Sequence, residues 1–232
     1  MELGRIGATA NGGGCRLALT AEEVEARHLL IGWARDIGLS VTMDDISNLF
    51  FRLDGTDPDA PPVVTGSHID SQPTGGKFDG AFGVVAGFEA LEAIRESGVT
   101  PARSMEVVAW LNEEGSRFSP GMMGSEAFTG RRPLKQILAV KDADGVRTAE
   151  ALETTLAAFP ELERRAFGFP MTAFLEAHIE QGPVLEEVGI PVGVVTGIQG
   201  SRRFRVSVTG DEGHAGTLPM PERKDALLAA LE

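Results

Sequence analysis

Residues 65–80, TGSHIDSQPTGGKFDG, put His68, Asp70 and Asp79 on one glycine-rich loop. The β-prone run Pro62, Val63, Val64 and Thr65 precedes it, so His68 is expected at the C-terminal end of a buried strand, where open α/β sheets bind ligands. His68 and Asp70 are two apart. On extended backbone that spacing turns both side chains to one side, where a carboxylate can hold the second nitrogen of a metal-ligating imidazole. Gly75 and Gly76 allow a turn that returns Asp79 toward His68, and Gly80 leaves space beside it. An isolated His-x-Asp is more often a solvated turn, so this reading depends on what else converges there.

Asn112, Glu113, Glu114 and Gly115 follow the apolar run 105–111. Neighbouring carboxylates at a strand end repel one another and need a cation or open water. With Glu114 turned to a metal and Glu113 to its water, one becomes a ligand and the other a general base; the alternative is a solvated acidic turn. His178 lies in FLEAHIEQ, residues 174–181, whose loose alternation reads as a strand. Alone it would pass for a core histidine. Together, His68, Asp79, Glu114 and His178 are ligand types that zinc accepts, and no thiolate competes with them. They look like most of a two-metal site bridged by Asp79.

Five stretches in this order, GSHIDSQPTGGKFDG, WLNEEGSRF, EAHIEQGPVLE, VVTGIQG and GHAGTLPM, resemble the M20 metallopeptidase superfamily in its N-carbamoyl-amino-acid amidohydrolase branch. The resemblance runs over nearly the whole chain. It implies an α/β fold, a zinc-aminopeptidase-like mixed sheet flanked by helices, with residues 1–199 as the metal-binding catalytic domain. Residues 200–232 would begin an α+β lid and dimerisation domain. By the same resemblance, His68, Asp79 and His178 match the ligands of one ion. Asp79 also bridges to a second ion, which Glu114 binds. Glu113 matches the general base, Asp70 the residue orienting His68, Gln199 a substrate contact and His214 the lid histidine that polarises the scissile carbonyl.

The implied cofactors are two divalent ions, zinc first, with manganese, cobalt or nickel as substitutes. The implied substrate is a small N-carbamoyl or ureido acid, and the implied assembly is a homodimer through the lid. An M20 dipeptidase, aminoacylase or allantoate amidohydrolase would share the chemistry; a non-catalytic metal-binding or assembly module is the alternative from another class. The family's second ion takes a further histidine, yet no histidine follows His214. The arginine that binds the substrate carboxylate is likewise expected beyond Glu232, so the expectation is a truncated chain.

The elements that must position these residues are readable in outline. Thr20 and Glu23 form a capping box for a helix to about Ile37, stopped by Gly38. Residues 40–53 read as a strand pair broken near Asp44, Asp45 and Asn48. Residues 81–97 read as a helix with Phe82, Val85, Phe88 or Glu89, and Ala93 on a mostly apolar face, and 105–111 as a strand parallel to the one before His68. A short helix is expected within 117–130 and another over 148–159. Beyond His178, a short helix is expected over 183–188, strands over 190–198 and 202–209, and a helix from near Pro221.

The 232 residues, 42% hydrophobic and 24% charged, suit a globular protein with a substantial core. The formal net charge of −13 opposes binding to nucleic acid or an anionic membrane. One cysteine, Cys15, excludes an intrachain disulfide, and no run approaches the ~20 apolar residues of a membrane span, so a cytoplasmic protein is expected. NGGG at 11–14 lacks the Gly-Lys-Ser/Thr of a phosphate loop, and KDADG at 141–145 lacks the acid spacing of a calcium loop.

Overall fold

The computed structural model describes residues 2–200, 202 and 204–231. The chain divides into two compact units, Met1–Gln181 and Gly182–Glu232.

In the first unit the elements run α1 (Ala21–Asp36), β1 (Ser40–Asp44), β2 (Leu49–Leu53), β3 (Val63–His68), α2 (Ala81–Glu96), β4 (Met105–Trp110), α3 (Met123–Phe128), α4 (Leu134–Leu138), α5 (Thr148–Ala157), β5 (Glu163–Arg165) and β6 (Ala173–Leu175). The six strands form one mixed sheet in the order β5-β1-β2-β4-β3-β6. β1, β2 and β4 pair antiparallel, whereas β3 runs parallel to both β4 and β6, and β5 parallel to β1. The expected α/β architecture is the one observed.

Both faces of the sheet are covered, which is why its central strands read as nearly unbroken apolar runs. Along β4, Val107 and Ala109 join the core with Leu30, Leu91 and Phe159, while Val108 and Trp110 pack on the opposite side with Phe50 and Phe128. Glu106, on the Val108 side, is fully buried. It is satisfied by Arg52 at 3.0 Å and Arg165 at 2.6 Å, so one carboxylate links β2, β4 and β5.

Helix α1 begins where Thr20 predicts, its Oγ1 accepting the Glu23 N–H at 3.4 Å, but the Glu23 carboxylate reaches back one residue further, to the Leu19 N–H at 2.6 Å. Helix α2 is rotated from the expected face. Ala81, Val84, Phe88 and Leu91 are buried, and Phe82 is 46% exposed. The cause is glycine: a Cβ on Gly87 would come within 2.8 Å of Val107 and 3.1 Å of Thr65, and one on Gly83 within 2.4 Å of the Ala177 carbonyl. The helix meets the sheet along its smallest residues, and the large ones flank that line.

In the second unit, α6 (Val184–Glu187) and α7 (Ala226–Leu231) are helical, and Met220–Glu222 is a single 3₁₀ turn. The helix expected from near Pro221 thus starts later, at Ala226. The strands expected over 190–198 and 202–209 are not found among the described residues. A strand exists by the hydrogen bonds of a neighbour, and the apolar alternation here is unpaired, with Val194 87% and Ile198 96% exposed.

Between β1 and β2, buried Asn48 donates to Asp44 at 2.7 Å and to the Gly124 carbonyl at 3.1 Å, and accepts the Leu111 N–H at 2.9 Å. It thereby joins that turn to the end of β4 and the start of α3. Asp44 also accepts the amides of Ile46 and Asn48, at 3.1 and 2.8 Å. Burial pushes its carboxyl up to about 7, against these donors and the nearby Arg27 charge. The folded state therefore holds a proton that the unfolded chain releases at about pH 4, and this group makes stability decline as pH rises from about 4 through 7. Denaturation midpoints taken across that range should show the decline, and Asp44→Asn should flatten it. Equal slopes in the two proteins would assign the dependence to other groups.

Candidate metal centre

The parallel pairing of β3 with β4 places the loops after His68 and after Trp110 side by side, because those two residues are register partners. Asn112, at φ +48, turns the chain off the end of β4 in a left-handed conformation that asparagine tolerates. Its amide nitrogen donates to the Phe118 carbonyl at 2.8 Å, closing the turn that presents Glu113 and Glu114. On the other flank of β3, β6 pairs in parallel with Val63 opposite Ala173 and Thr65 opposite Leu175. The strand stops at Leu175, shorter than FLEAHIEQ suggests, and His178 follows on irregular backbone. Ser67 and Glu176, hydrogen-bonded at 2.5 Å, tie the two segments just ahead of their histidines.

His68, Asp79 and His178 each offer a ligand atom, all within 4.8 Å of one another. Asp79 Oδ1 lies 3.2 Å from His178 Nε2 and 3.9 Å from His68 Nε2. Both imidazoles have their other nitrogen engaged. His68 Nδ1–H donates to the Asp70 carbonyl, and His178 Nδ1–H to the Ile179 carbonyl, each at 2.9 Å. Donation from Nδ1 leaves Nε2 as the nitrogen that can hold a cation. Gly80 makes the approach possible, since a Cβ there would lie 2.4 Å from the His68 ring, and its φ of +63 suits glycine.

Asp70 orients His68 in a way the spacing did not specify. Its main-chain carbonyl takes the imidazole hydrogen bond, while its carboxylate oxygen stands 3.5 Å from Nδ1. The carboxylate instead accepts the amides of Glu113 at 3.1 Å and Glu114 at 3.2 Å. Glu113 Oε2 then lies 3.4 Å from His68 Nε2. Glu114 accepts from Gln72 at 2.9 Å through Oε2. Its other oxygen is shielded from water and has no hydrogen-bond partner.

The electrostatics express a need for positive charge. Burial alone would lower the His68 pKa, but Asp70 and Glu113 reverse this and hold it at about 9. Glu113 is raised by burial and by Asp70, Glu114 and Asp79, against the pull of His68. Glu114 is raised by burial and by Asp79 and Asp70, against the Gln72 hydrogen bond and the pull of His68. Divalent cations fit this donor set, where one could take the place of the proton that His68 holds: two imidazoles with Nε2 atoms turned to the Asp79 carboxylate, and an orphaned Glu114 oxygen.

Six of the eight residues singled out in the sequence thus converge in the first unit: His68, Asp70, Asp79, Glu113, Glu114 and His178. Gln199 and His214 belong to the second unit; both are exposed, and His214 Nδ1 accepts the Gly216 N–H at 3.1 Å. Gln72 and Gln181 were missed. Gln181, at φ +57, donates to Asp79 Oδ2 at 2.5 Å. Their positions, two residues after Asp70 and three after His178, were the available signal.

Residues 64–232 match Peptidase family M20/M25/M40. The chain is 44% identical over 234 residues to the N-carbamoyl-L-amino acid amidohydrolase of Geobacillus stearothermophilus, covering 100% of this chain and 57% of that relative. It is 39% identical over 229 residues to the allantoate amidohydrolase of Bacillus subtilis (strain 168), covering 98% and 55%. Among solved structures, a hydantoinase/carbamoylase family amidase from Burkholderia vietnamiensis superposes with a TM-score of 0.85 at 44% identity, over 100% of this chain and 55% of that one. The chain spans about half the length of the curated relatives it matches. With the family match covering most of its length and the candidate ligands on the loops that the fold brings together, the chain belongs to peptidase family M20/M25/M40.

Proposed function

We propose that this chain carries the metal centre of an amidohydrolase that cleaves the carbamoyl C–N bond of N-carbamoyl amino acids. The observation that carries the reading is the convergence of His68, Asp79 and His178 with the Glu113 carboxylate 3.4 Å from His68. His68, Asp79 and His178 would hold one divalent ion, and Asp79 with Glu114 a second, with zinc preferred. When bound, such ions supply Lewis acidity and lower the pKa of water.

Glu113 is not needed as a ligand in this assignment, and the burial and neighbouring carboxylates that raise its pKa make it a stronger proton acceptor than an exposed glutamate. It takes a proton from the attacking water as the oxygen bonds to the carbamoyl carbon. As the C–N bond breaks, it returns that proton to the leaving amino nitrogen, and the carbamate released decomposes to ammonia and carbon dioxide. Asp70 keeps Glu113 and His68 in place through the bonds described above. In the same proposal residues 1–199 serve catalysis and 200–232 open a lid and dimerisation domain. Gln199 contacts substrate, and His214 from a second copy of the chain polarises the scissile carbonyl. The setting proposed is the cytoplasm, in keeping with the single Cys15.

A related reading, with allantoate as substrate, is favoured by the similarity to the Bacillus relative. Turnover of an N-carbamoyl amino acid, allantoate and a dipeptide should be compared with the metal-loaded protein. The expected order places the carbamoyl compound first; preference for the dipeptide would sink the assignment, and preference for allantoate would select the related reading.

Glu113→Gln should keep its metal content while turnover falls about 10²–10⁴-fold, the usual worth of a general acid-base group. Loss of metal would instead make Glu113 a ligand. For His214, mixing Glu113→Gln chains with His214→Ala chains should restore turnover, since mixed dimers hold one site with both residues intact. No recovery after verified subunit exchange would rule out a histidine shared between copies.

A further inference from the structure

The segment ahead of α1 is fastened to the loop that carries His68 and Asp70. Gly14 and Gly75 exchange both backbone hydrogen bonds, at 2.9 and 3.0 Å. Ser71 N–H donates to the Arg16 carbonyl at 2.8 Å, and Arg16 N–H to Ser71 Oγ at 2.8 Å. The Arg16 side chain, 6% exposed, then reaches beneath the loop. Its Nε donates to the Ile69 carbonyl at 2.7 Å, and its Nη1 to the carbonyls of Leu3 and Ile6 at 3.1 and 3.0 Å. Ile69 is the residue between His68 and Asp70.

A buried arginine is a costly way to hold a loop, because its charge must be compensated away from water. Burial lowers the Arg16 pKa, and the charges of Glu23 and Asp70 oppose that effect. Glu23 is itself buried and pairs with Arg27 at 2.9 Å, and Arg27 in turn acts on Asp44. Four buried charges of alternating sign, Asp70, Arg16, Glu23 and Arg27, therefore run from the His68 loop into α1, and Arg27 faces the buried Asp44 carboxyl at the β1–β2 turn. An apolar side chain of similar size would fill the space without this cost, but it could not take three main-chain carbonyls in fixed directions.

We propose that Arg16 is a positioning residue for the candidate metal centre: from the N-terminal segment its guanidinium holds the Ile69 carbonyl and so sets the direction in which His68 and Asp70 leave β3. This rests on the metal-centre reading above. Arg16 lies ahead of residues 64–232, the stretch by which the family is recognised. It acts on the site as the outer partners of a metal ligand do, by limiting the orientations the ligand can take.

The test uses the full chain, titrated with cobalt(II), together with amide hydrogen exchange of the metal-free protein. Arg16→Met removes the charge and the fork, and Arg16→Lys keeps only the charge. In folded Arg16→Met, cobalt affinity should drop about 10–100-fold, as for the loss of an outer-shell partner. Exchange should quicken over 66–76 and 112–115 while α5 stays unchanged, and Arg16→Lys should fall between the variant and wild type. Wild-type cobalt affinity in a folded variant, or exchange that quickens equally in α5, would overturn the proposal. If Arg16→Met does not fold, Arg16→Lys carries the test with the same outcomes, and failure of both to fold would make Arg16 a structural residue only. Should wild type bind no cobalt, or bind it equally well after His68→Ala, the metal-centre reading fails. The exchange arm would then still decide whether Arg16 sets the loop.

Discussion

One residue, Asp70, connects His68 to both glutamates at the sheet end. Its carboxylate receives the Glu113 and Glu114 amides and its carbonyl the His68 ring, so the loops after β3 and β4 are joined through a single residue. The arrangement needs parallel strands in adjacent positions, since only then do two strand ends open at the same level. It also carries an electrostatic consequence. The charge that accepts the two amides raises the pKa of the side chains it has just positioned, and that opposition is relieved only by positive charge placed between them. The clamp and the demand for a cation are one interaction seen at two distances.

The parts of the fold legible in the sequence are those with long, consistent patterns. β3, β4 and α2 were readable because a sheet covered on both faces needs continuous apolar strands, and a crossover helix needs its own length. The metal-loop residues were legible because glycines at 75, 76 and 80 marked where the backbone must turn sharply. What escaped lacks any local pattern. β5 is three residues and exists only through its neighbour β1, α4 is a five-residue helix, and β6, expected within 174–181, is only the three residues that pair with β3. The buried face of α2 was misjudged because close approach to the sheet selected Gly83 and Gly87 over the larger residues beside them.

Tertiary partners were similarly invisible. Nothing in the order of residues says that Gln181 meets Asp79, or that the Asp70 carbonyl rather than its carboxylate takes the imidazole hydrogen bond. The apolar alternation of 190–208 misled for the opposite reason. A pattern that suits a strand states which face could be covered, but hydrogen bonds from another strand decide whether one forms.

The short pairing of β6 with β3 sets a ruler for the two histidines. With Thr65 opposite Leu175, equal advances of three residues reach His68 and His178, whose rings are centred 6.2 Å apart. The spacing between those imidazoles is thus counted in backbone steps from a shared rung. Connections elsewhere, such as 129–133 or 166–172, can change length without disturbing that count. Between Leu175 and His178 a single inserted or deleted residue would change that count directly, so chain length is most constrained where the secondary structure is least regular.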